Sequence, residues 1–472
     1  MTKLHNALEA LPCRHMLAIL DCCFAGAFRW SSKRDFQPLP QVIYKERYDR
    51  FIRDAAWQVL TSASYDQKAL DILSGNIRGE HGVAQQQEQQ HSPFALALFE
   101  ALHGAADTAP KDGDGVITAT ELYLYLRDEV EVPAEKLADH RQTPGLWPLN
   151  KHEHGEFIFL VPGYELDLPP APDLTEQNNP YKGLSPYEKG DSELFFGRTT
   201  LIEELKKQVE EQPFIVVLGA SGTGKSSLVK AGLLPTLEKE AKKGAGESGE
   251  DQASSWFIPQ EIMRPGADPL PTLHSLLIRE LPGVSAVREK NISLTKLIDQ
   301  WAGKNPGQKL LLVIDQFEEL ITLCRHEEKR GAFIRELKQT QEDHSEILRI
   351  VLTLRSDFES QISQLDFWQG DWERAHRFIV RPMTQDELRE VIEEPASAKV
   401  LYFEPRTLID TLINEVLQTP GALPLLSFTL YELYRSYAKN PDGTRALTEA
   451  NYKKNGEVIG SLRRRINKEY EK

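Results

Sequence analysis

Residues Gly219 to Ser227 read GASGTGKSS, and this stretch decides the fold. It completes the pattern G-x-x-x-x-G-K-[ST] between Pro213-Phe-Ile-Val-Val-Leu218, a short buried-strand run, and Leu228-Val-Lys-Ala-Gly-Leu-Leu234, which reads as a helix. Strand, loop and helix in that order are the setting in which such a loop holds phosphate. Gly219, Gly222 and Gly224 let the backbone bend so that N–H groups converge on phosphate oxygens at a helix N-terminus. Lys225 adds a point charge for the outer phosphates, and Ser226 offers a hydroxyl to Mg2+. Ser221, Thr223 and Ser227 complete the nucleotide-binding stretch. A chance match in a flexible loop would not carry this flanking strand and helix.

Two further apolar runs supply what a phosphate loop needs beside it. Lys309-Leu-Leu-Leu-Val-Ile-Asp-Gln-Phe-Glu-Glu-Leu320 ends in acid: Asp315 is the Mg2+-side candidate, and Glu318 and Glu319 are alternative water-activating carboxylates just beyond the strand. Their plainer reading is the acidic start of a helix. Ile347-Leu-Arg-Ile-Val-Leu-Thr-Leu-Arg355 delivers Arg355 and Asp357 to a strand end, where open parallel sheets bind ligands. Arg355 either senses the terminal phosphate or pairs with Asp357 in a structural turn.

The chain has 472 residues, 40% of them hydrophobic and 27% charged, enough for two or three ordinary globular domains. A net charge of -15 argues against general nucleic-acid binding, which needs basic residues that are not outweighed. Four cysteines, Cys13, Cys22, Cys23 and Cys324, form no disulfide framework and suit a reducing cytoplasm. No run reaches the roughly 18 apolar residues of a membrane span. Neither a membrane nor a nucleic acid is therefore expected as a partner.

Residues 162–185 are rich in Pro, Asp and Asn and read as a linker after a first domain, 1–161. The nucleotide domain is expected over 186–382, with a loop projecting at Glu238–Ser255. Beyond it, Thr384-Gln-Asp-Glu387 forms a capping box and Leu388, Val391 and Ile392 keep one face apolar, so 383–472 reads as an all-α lid followed by a small helical domain.

From about Asn179 to Arg464 these blocks resemble the STAND-type signal-transduction ATPases: NPYKGLSPYEKGDSELFFGR, GASGTGKSSLVKAGLLP, LLLVIDQFEEL, VLTLRSDF and PGALPLLSFTLYELY. The resemblance implies a three-layer α/β/α P-loop core with a winged-helix-like end. It places Phe195 to Arg198 near the nucleotide base, and it lets the Gly421 to Pro424 element, through Pro424, touch the nucleotide. It also implies an ADP/ATP switch, closed with ADP and self-associating with ATP.

The N-terminal 3–160 carries a second resemblance. Arg14-His-Met-Leu-Ala-Ile-Leu-Asp-Cys-Cys-Phe-Ala-Gly26 is an apolar strand ending in a small-residue turn that would present a thiol, although two cysteines packed as small hydrophobes explain it equally. DCCFAGA resembles the D-x-C-x-x-G motif of caspase-like and metacaspase-like peptidases, and VLTSAS, HSPFALALFEAL and DGDGVITATEL resemble later elements of that domain. The resemblance makes Cys23 the nucleophile and Asp21 part of a pocket for a basic residue of a protein substrate. A histidine base some 50 residues upstream is missing. His15 lies on the same strand about 26 Å from Cys23 at ~3.3 Å per residue, and His5 lacks the Gly-His-Gly setting. A domain lacking its N-terminal part, a fragment of a longer chain, is the expected explanation, with little peptidase activity as it stands.

Asp112, Asp114 and Glu121, with Gly115 at the turn, resemble a calcium loop, but Pro110, which has no side-chain oxygen, occupies the first ligand position. A helix capped by Thr118 with Glu121 three residues on is expected in place of Ca2+. The combined expectation is a partial caspase-like α/β domain followed by a P-loop α/β/α NTPase: an ATP-controlled switch driving a cysteine endopeptidase in bacterial defence or programmed cell death. A nucleotide-dependent scaffold with a non-catalytic peptidase-like half is the alternative. An ATP-dependent transcription regulator using Arg463-Arg464-Arg465 suits the acidic chain less well.

Overall fold

The computed structural model describes residues 7–8, 10–22, 42–64, 67, 69, 91–110, 113–138, 141–153, 155–244, 256–284, 292–365, 372, 375–419, 421–458 and 460. Contacts divide them into two compact units, Met1–Asp173 and Leu174–Lys472.

In the first unit, β1 (His15–Leu20) and β2 (Ala56–Thr61) pair in parallel, and β4 (Gly145–Pro148) joins β2 antiparallel. Because side chains alternate across a strand, β2 sends Leu60 to a core with Phe94, Leu122 and Leu126, and Trp57 and Val59 to the opposite face with Met16 and Leu149. A second pair, β3 (Val116–Thr118) and β5 (Ile158–Leu160), lies at the start of the helix Ala119–Ala138. The expected cap is made there: the Glu121 N–H donates to Thr118 Oγ1 at 3.0 Å, and the Thr118 N–H to Glu121 Oε2 at 2.9 Å. Burial pushes the Glu121 carboxyl up to about 7 and the Asp114 carboxyl up to about 6.

The second unit is built on a five-stranded parallel sheet ordered β10-β6-β9-β8-β7, from β6 (Phe214–Gly219), β7 (Trp256–Phe257), β8 (Lys309–Ile314), β9 (Leu348–Arg355) and β10 (His376–Ile379). The inner strands β6, β8 and β9 are largely apolar because both faces are covered, whereas the edge strand β10, HRFI, is partly exposed. Ile215, Val217, Leu311, Val313 and Val351 meet the helix Thr199–Glu211 on one side. Val216, Leu218, Leu312, Ile314, Ile350 and Leu352 meet Pro269–Glu280 and Leu294–Lys304 on the other. The result is the three-layer α/β/α arrangement.

After the sheet come the helices Gln385–Ala398, Thr407–Gln418, Leu423–Lys439 and Glu449–Asn455, packed on a core of their own. The capping box of Thr384 and Glu387 opens the first. The region is not wholly helical: β11 (Tyr402–Glu404) and β12 (Ala446–Thr448) form a parallel pair, each too short for a period-two pattern to register in sequence. The loop expected at Glu238–Ser255 begins later than foreseen, because the helix Leu234–Gly244 absorbs its Glu, Lys and Ala residues, all good helix formers; residues 245–255 lie outside the described set. Nor is the stretch 162–185 an uncommitted linker. The Ala171 N–H donates to Glu46 within the first unit, while Tyr181, 1% exposed, donates its hydroxyl to the Ile392 carbonyl within the second.

Gly197 fixes one close approach. Its φ is +75°, and a Cβ there would stand 2.5 Å from the Glu387 carbonyl oxygen. Gly197→Ala is therefore expected to cost about 2–4 kcal/mol through a left-handed backbone and a main-chain clash, read as a lower midpoint in urea unfolding with unchanged slope.

Candidate nucleotide site

The site grows from the C-terminal edge of the parallel sheet. β6 ends at Gly219 and a helix starts at Lys225, so residues 220–224 turn the chain between them. Gly222 (φ 76°) and Gly224 (φ 87°) take left-handed conformations that cost a side-chain-bearing residue roughly 1–2 kcal/mol. Gly222 also admits a neighbour: a Cβ there would come within 2.8 Å of Pro424 Cγ, in the first turn of the helix Leu423–Lys439.

Strand register gathers the rest. Ile314 pairs with Leu352, which places Asp315 beside Thr353, and Gly219 pairs with Arg355. Asp315, 1% exposed, accepts hydrogen bonds on Oδ1 from Ser226 Oγ at 2.6 Å and Thr353 Oγ1 at 2.7 Å. Its Oδ2 pairs with Lys230 Nζ at 3.3 Å and Arg264 Nη2 at 3.4 Å. Burial works to raise the Asp315 pKa, but the two hydroxyls and the two cations outweigh it and hold the carboxyl below its ordinary value. Lys225 donates from Nζ to the Gly219 and Ala220 carbonyls, both at 2.9 Å. Burial lowers its pKa, and the Glu318 carboxylate opposes that.

The two glutamates part company. Glu318 lies on the wall of the cavity and accepts the Arg355 N–H at 3.3 Å, whereas Glu319 accepts the Gly266 N–H at 3.1 Å and is not on that wall. Arg355 also lines the cavity, but its guanidinium is paired with Asp357, Nε to Oδ1 at 3.1 Å and Nη2 to Oδ2 at 2.7 Å. Arg198, 3% exposed, reaches the Thr223 carbonyl at 3.4 Å, the Arg381 carbonyl at 3.0 Å and the Glu387 carboxylate at 3.5 Å. Ser227 Oγ accepts the Tyr187 N–H at 3.0 Å.

Lys225, Ser226, Arg198, Arg264, Glu318, Thr353 and Arg355 line a cavity of about 580 Å³, within the range of ligand pockets, and Asp315, 1% exposed, stands behind its wall through its bonds to Ser226 and Thr353. Ser221 to Ser227, Glu318 and Arg355 form its polar side; Phe195, Leu184, Met383, Val391, Leu423 and Pro424 form an apolar one. A loop hydroxyl backed by a cation-flanked carboxylate suits Mg2+, an ammonium suits phosphate oxygens, and the apolar lining suits a base. Thr353, Lys230 and Arg264 carry no sequence signal, since only the folded arrangement of three separate segments brings them to Asp315.

At the end of β1, Asp21 is exposed and accepts Ser92 Oγ at 2.5 Å. His15 bonds through Nε2 with the Phe51 carbonyl at 3.1 Å. Cys23, His5 and Asp112 lie outside the described residues, as do Arg463, Arg464 and Arg465.

Sheet, loop and cavity together define a nucleotide-binding P-loop NTPase. Residues 180–472 match the family model Novel STAND NTPase 1, and the chain belongs to that family. Among solved structures it is similar to the ORC2 protein of Aeropyrum pernix in ADPNP–ADP complexes, at 17% identity and TM-score 0.44 over 60% of this chain and 71% of that one. The ORC1 protein of Aeropyrum pernix in complex with DNA is 11% identical, TM-score 0.40, over 61% and 69%. The Walker-type ATPase PABY2304 of Pyrococcus abyssi is 16% identical, TM-score 0.36, over 61% and 78%. No curated protein matches the chain. Among the described residues no helix is long and apolar enough to cross a membrane.

Proposed function

We propose that the second unit is an ATP-controlled switch whose nucleotide state governs self-association, and that it controls a caspase-like cysteine endopeptidase effector carried by the first unit. The observation that carries the switch is Pro424: a residue of the helical region lies against Gly222 of the phosphate loop, so phosphates entering the loop must be felt by that helix. Ser226 and Asp315 are the Mg2+ side, and the bound cation supplies charge neutralisation of the phosphates. Lys225 holds the outer phosphates, and Arg355 senses the terminal one only after exchanging its Asp357 partner.

For hydrolysis, Glu318 accepts the proton of a water whose oxygen bonds the terminal phosphorus as the bridging P–O bond breaks, leaving ADP and phosphate. Glu318→Gln is expected to lower turnover by about 10²–10⁴-fold with nucleotide affinity within a few-fold of wild type; the same change at Glu319 should leave turnover nearly intact. Single-turnover assays beside calorimetry separate the two.

Calorimetry with ATP and ADP, with mass photometry on the same samples, tests the switch. ATP-dependent assembly supports it, and tight binding of both nucleotides without any change of mass overturns it. For the effector, little cleavage is expected of this chain as it stands, and appreciable cleavage of a fluorogenic Arg or Lys peptide that is lost in Cys23→Ala would show that the peptidase needs no further part. The second reading, an effector that binds without cutting, is favoured by His15, whose ring is bonded to the Phe51 carbonyl at the start of β1. Defence or programmed cell death is the setting the effector reading implies.

A further inference from the structure

The cations around the nucleotide cavity differ in how firmly they are engaged. Lys225 is hydrogen-bonded to two carbonyls at 2.9 Å, and Arg198 to two carbonyls and a carboxylate. Arg355 makes a two-point pair with Asp357 and lies 5.1 Å from the centre of the Phe358 ring. Arg264 lines the same cavity, yet among the described residues its guanidinium meets only Asp315, Nη2 to Oδ2 at 3.4 Å. Charge-assisted bonds of this kind run at about 2.7–2.9 Å, so the contact is loose, and the Arg264 side chain is 46% exposed.

The main chain beneath it is held firmly. Met263, 1% exposed, forms a parallel bridge to Ile314, and its carbonyl accepts the Asp315 N–H at 2.8 Å. Pro265 fixes its own φ, and Gly266, at φ 58°, donates its N–H to Glu319 Oε2 at 3.1 Å. Arg264 is thus mounted on a segment tied to the end of β8 on both sides of it, so movement falls to the long side chain.

Turning that side chain away from Asp315 strands no buried charge. Asp315 Oδ2 keeps Lys230 Nζ at 3.3 Å, and Oδ1 keeps the Ser226 and Thr353 hydroxyls. A buried pair is expensive to break when one partner is left alone, and here neither is. Arg355, by contrast, must surrender both bonds to Asp357 before it can reach a ligand. A guanidinium also presents a planar fork that matches phosphate oxygens two at a time.

We propose that Arg264 is a phosphate-binding residue that turns from Asp315 to the terminal phosphate of the bound nucleotide and thereby makes the site prefer ATP to ADP. The inference rests on the nucleotide reading above and gives the preference to a residue outside the phosphate loop. A diphosphate ends one group short, so ADP leaves Arg264 on Asp315 and the fork gains its new bonds with ATP alone.

Calorimetry on the full chain, freed of nucleotide, compares ATP and ADP binding in the wild type, Arg264→Ala and Arg264→Lys, each with Mg2+ and with chelator in its place. Arg264→Ala is expected to weaken ATP by about 10–100-fold, the loss of one or two charge-assisted bonds, and ADP by no more than about threefold. Arg264→Lys should recover part of the ATP affinity, and the loss in Arg264→Ala should persist in chelator because the contact is direct. Equal loss for both nucleotides, loss for neither, or loss confined to the samples with Mg2+ overturns the proposal, the last because Arg264 would then act through Asp315. If Arg264→Ala does not fold, as judged by its thermal melt, Arg264→Gln, which keeps a donor for Asp315, carries the same comparison. Lys225→Ala separates this inference from its premise. Nucleotide binding that is absent in the wild type, or untouched by Lys225→Ala, strikes the nucleotide reading and this inference with it; binding that depends on Lys225 with an ATP preference unchanged in Arg264→Ala strikes Arg264 alone.

Discussion

Lys225→Ala is expected to reduce ATP and ADP affinity by about 10²–10³-fold while leaving the fold in place. Lys225 is the phosphate loop's cation, only 8% exposed, and its ammonium already turns into the loop through the Gly219 and Ala220 carbonyls. Charge-assisted hydrogen bonds contribute about 1.5–3 kcal/mol each, so losing the ammonium's contacts to two phosphate oxygens reaches the stated range. Stability should change little. Burial disfavours the charged form of this lysine, so its removal relieves part of the cost of holding a buried cation and offsets the loss of its two carbonyl bonds. Calorimetry and a thermal melt on the same sample check both halves. Affinity within tenfold of wild type would remove Lys225 from the site.

Asp315→Asn should damage both activity and stability. The amide keeps one acceptor for the Ser226 and Thr353 hydroxyls but no charge for Lys230 and Arg264. Lys230 is 5% exposed and, among the described residues, would retain Glu188, at 3.1 Å. Removing one partner of a buried pair costs about 3–5 kcal/mol, and loss of the Mg2+ side should lower hydrolysis by at least about 10²-fold.

The pH dependence has a definite sign. The folded pKa of Asp315 lies below its ordinary value of 3.8, so its stabilisation is fully present above that value and is lost as pH falls through the lower, folded one. The stability gap between wild type and variant, measured by urea unfolding, should therefore be constant from neutral pH down to about 5 and close in stronger acid. A gap that widened on acidification would contradict the ionised state of Asp315.

What the sequence made legible is local. Strand, glycine turn, lysine and serine follow one another within about a dozen residues, and their chemistry is set by main-chain geometry that the glycines announce. The acidic end of β8 was legible for the same reason, but not the choice between Glu318 and Glu319. Adjacent residues leave a helix start in different directions, and only the Gly266 N–H shows which one is held away. Thr353, Lys230 and Arg264 come from three separate segments, and no pattern along the chain foretells that all three converge on one carboxylate. Arg355 was legible as an alternative, and the pairing with Asp357 is the arrangement the structure contains.

The position of Arg198 has a mechanical consequence. One guanidinium is hydrogen-bonded to the Thr223 carbonyl in the phosphate loop, to the Arg381 carbonyl at the exit from the sheet and to Glu387 at the start of the next helix. Two stretches remote in the chain, the phosphate loop at Thr223 and the run from Arg381 to Glu387, are thus tied to a single planar group. The phosphate loop cannot change shape at Thr223 without either dragging the helix Gln385–Ala398 with it or breaking the pin. Whatever occupies the loop is therefore registered some 160 residues further along the chain by a part that is itself rigid, in the manner of a crank.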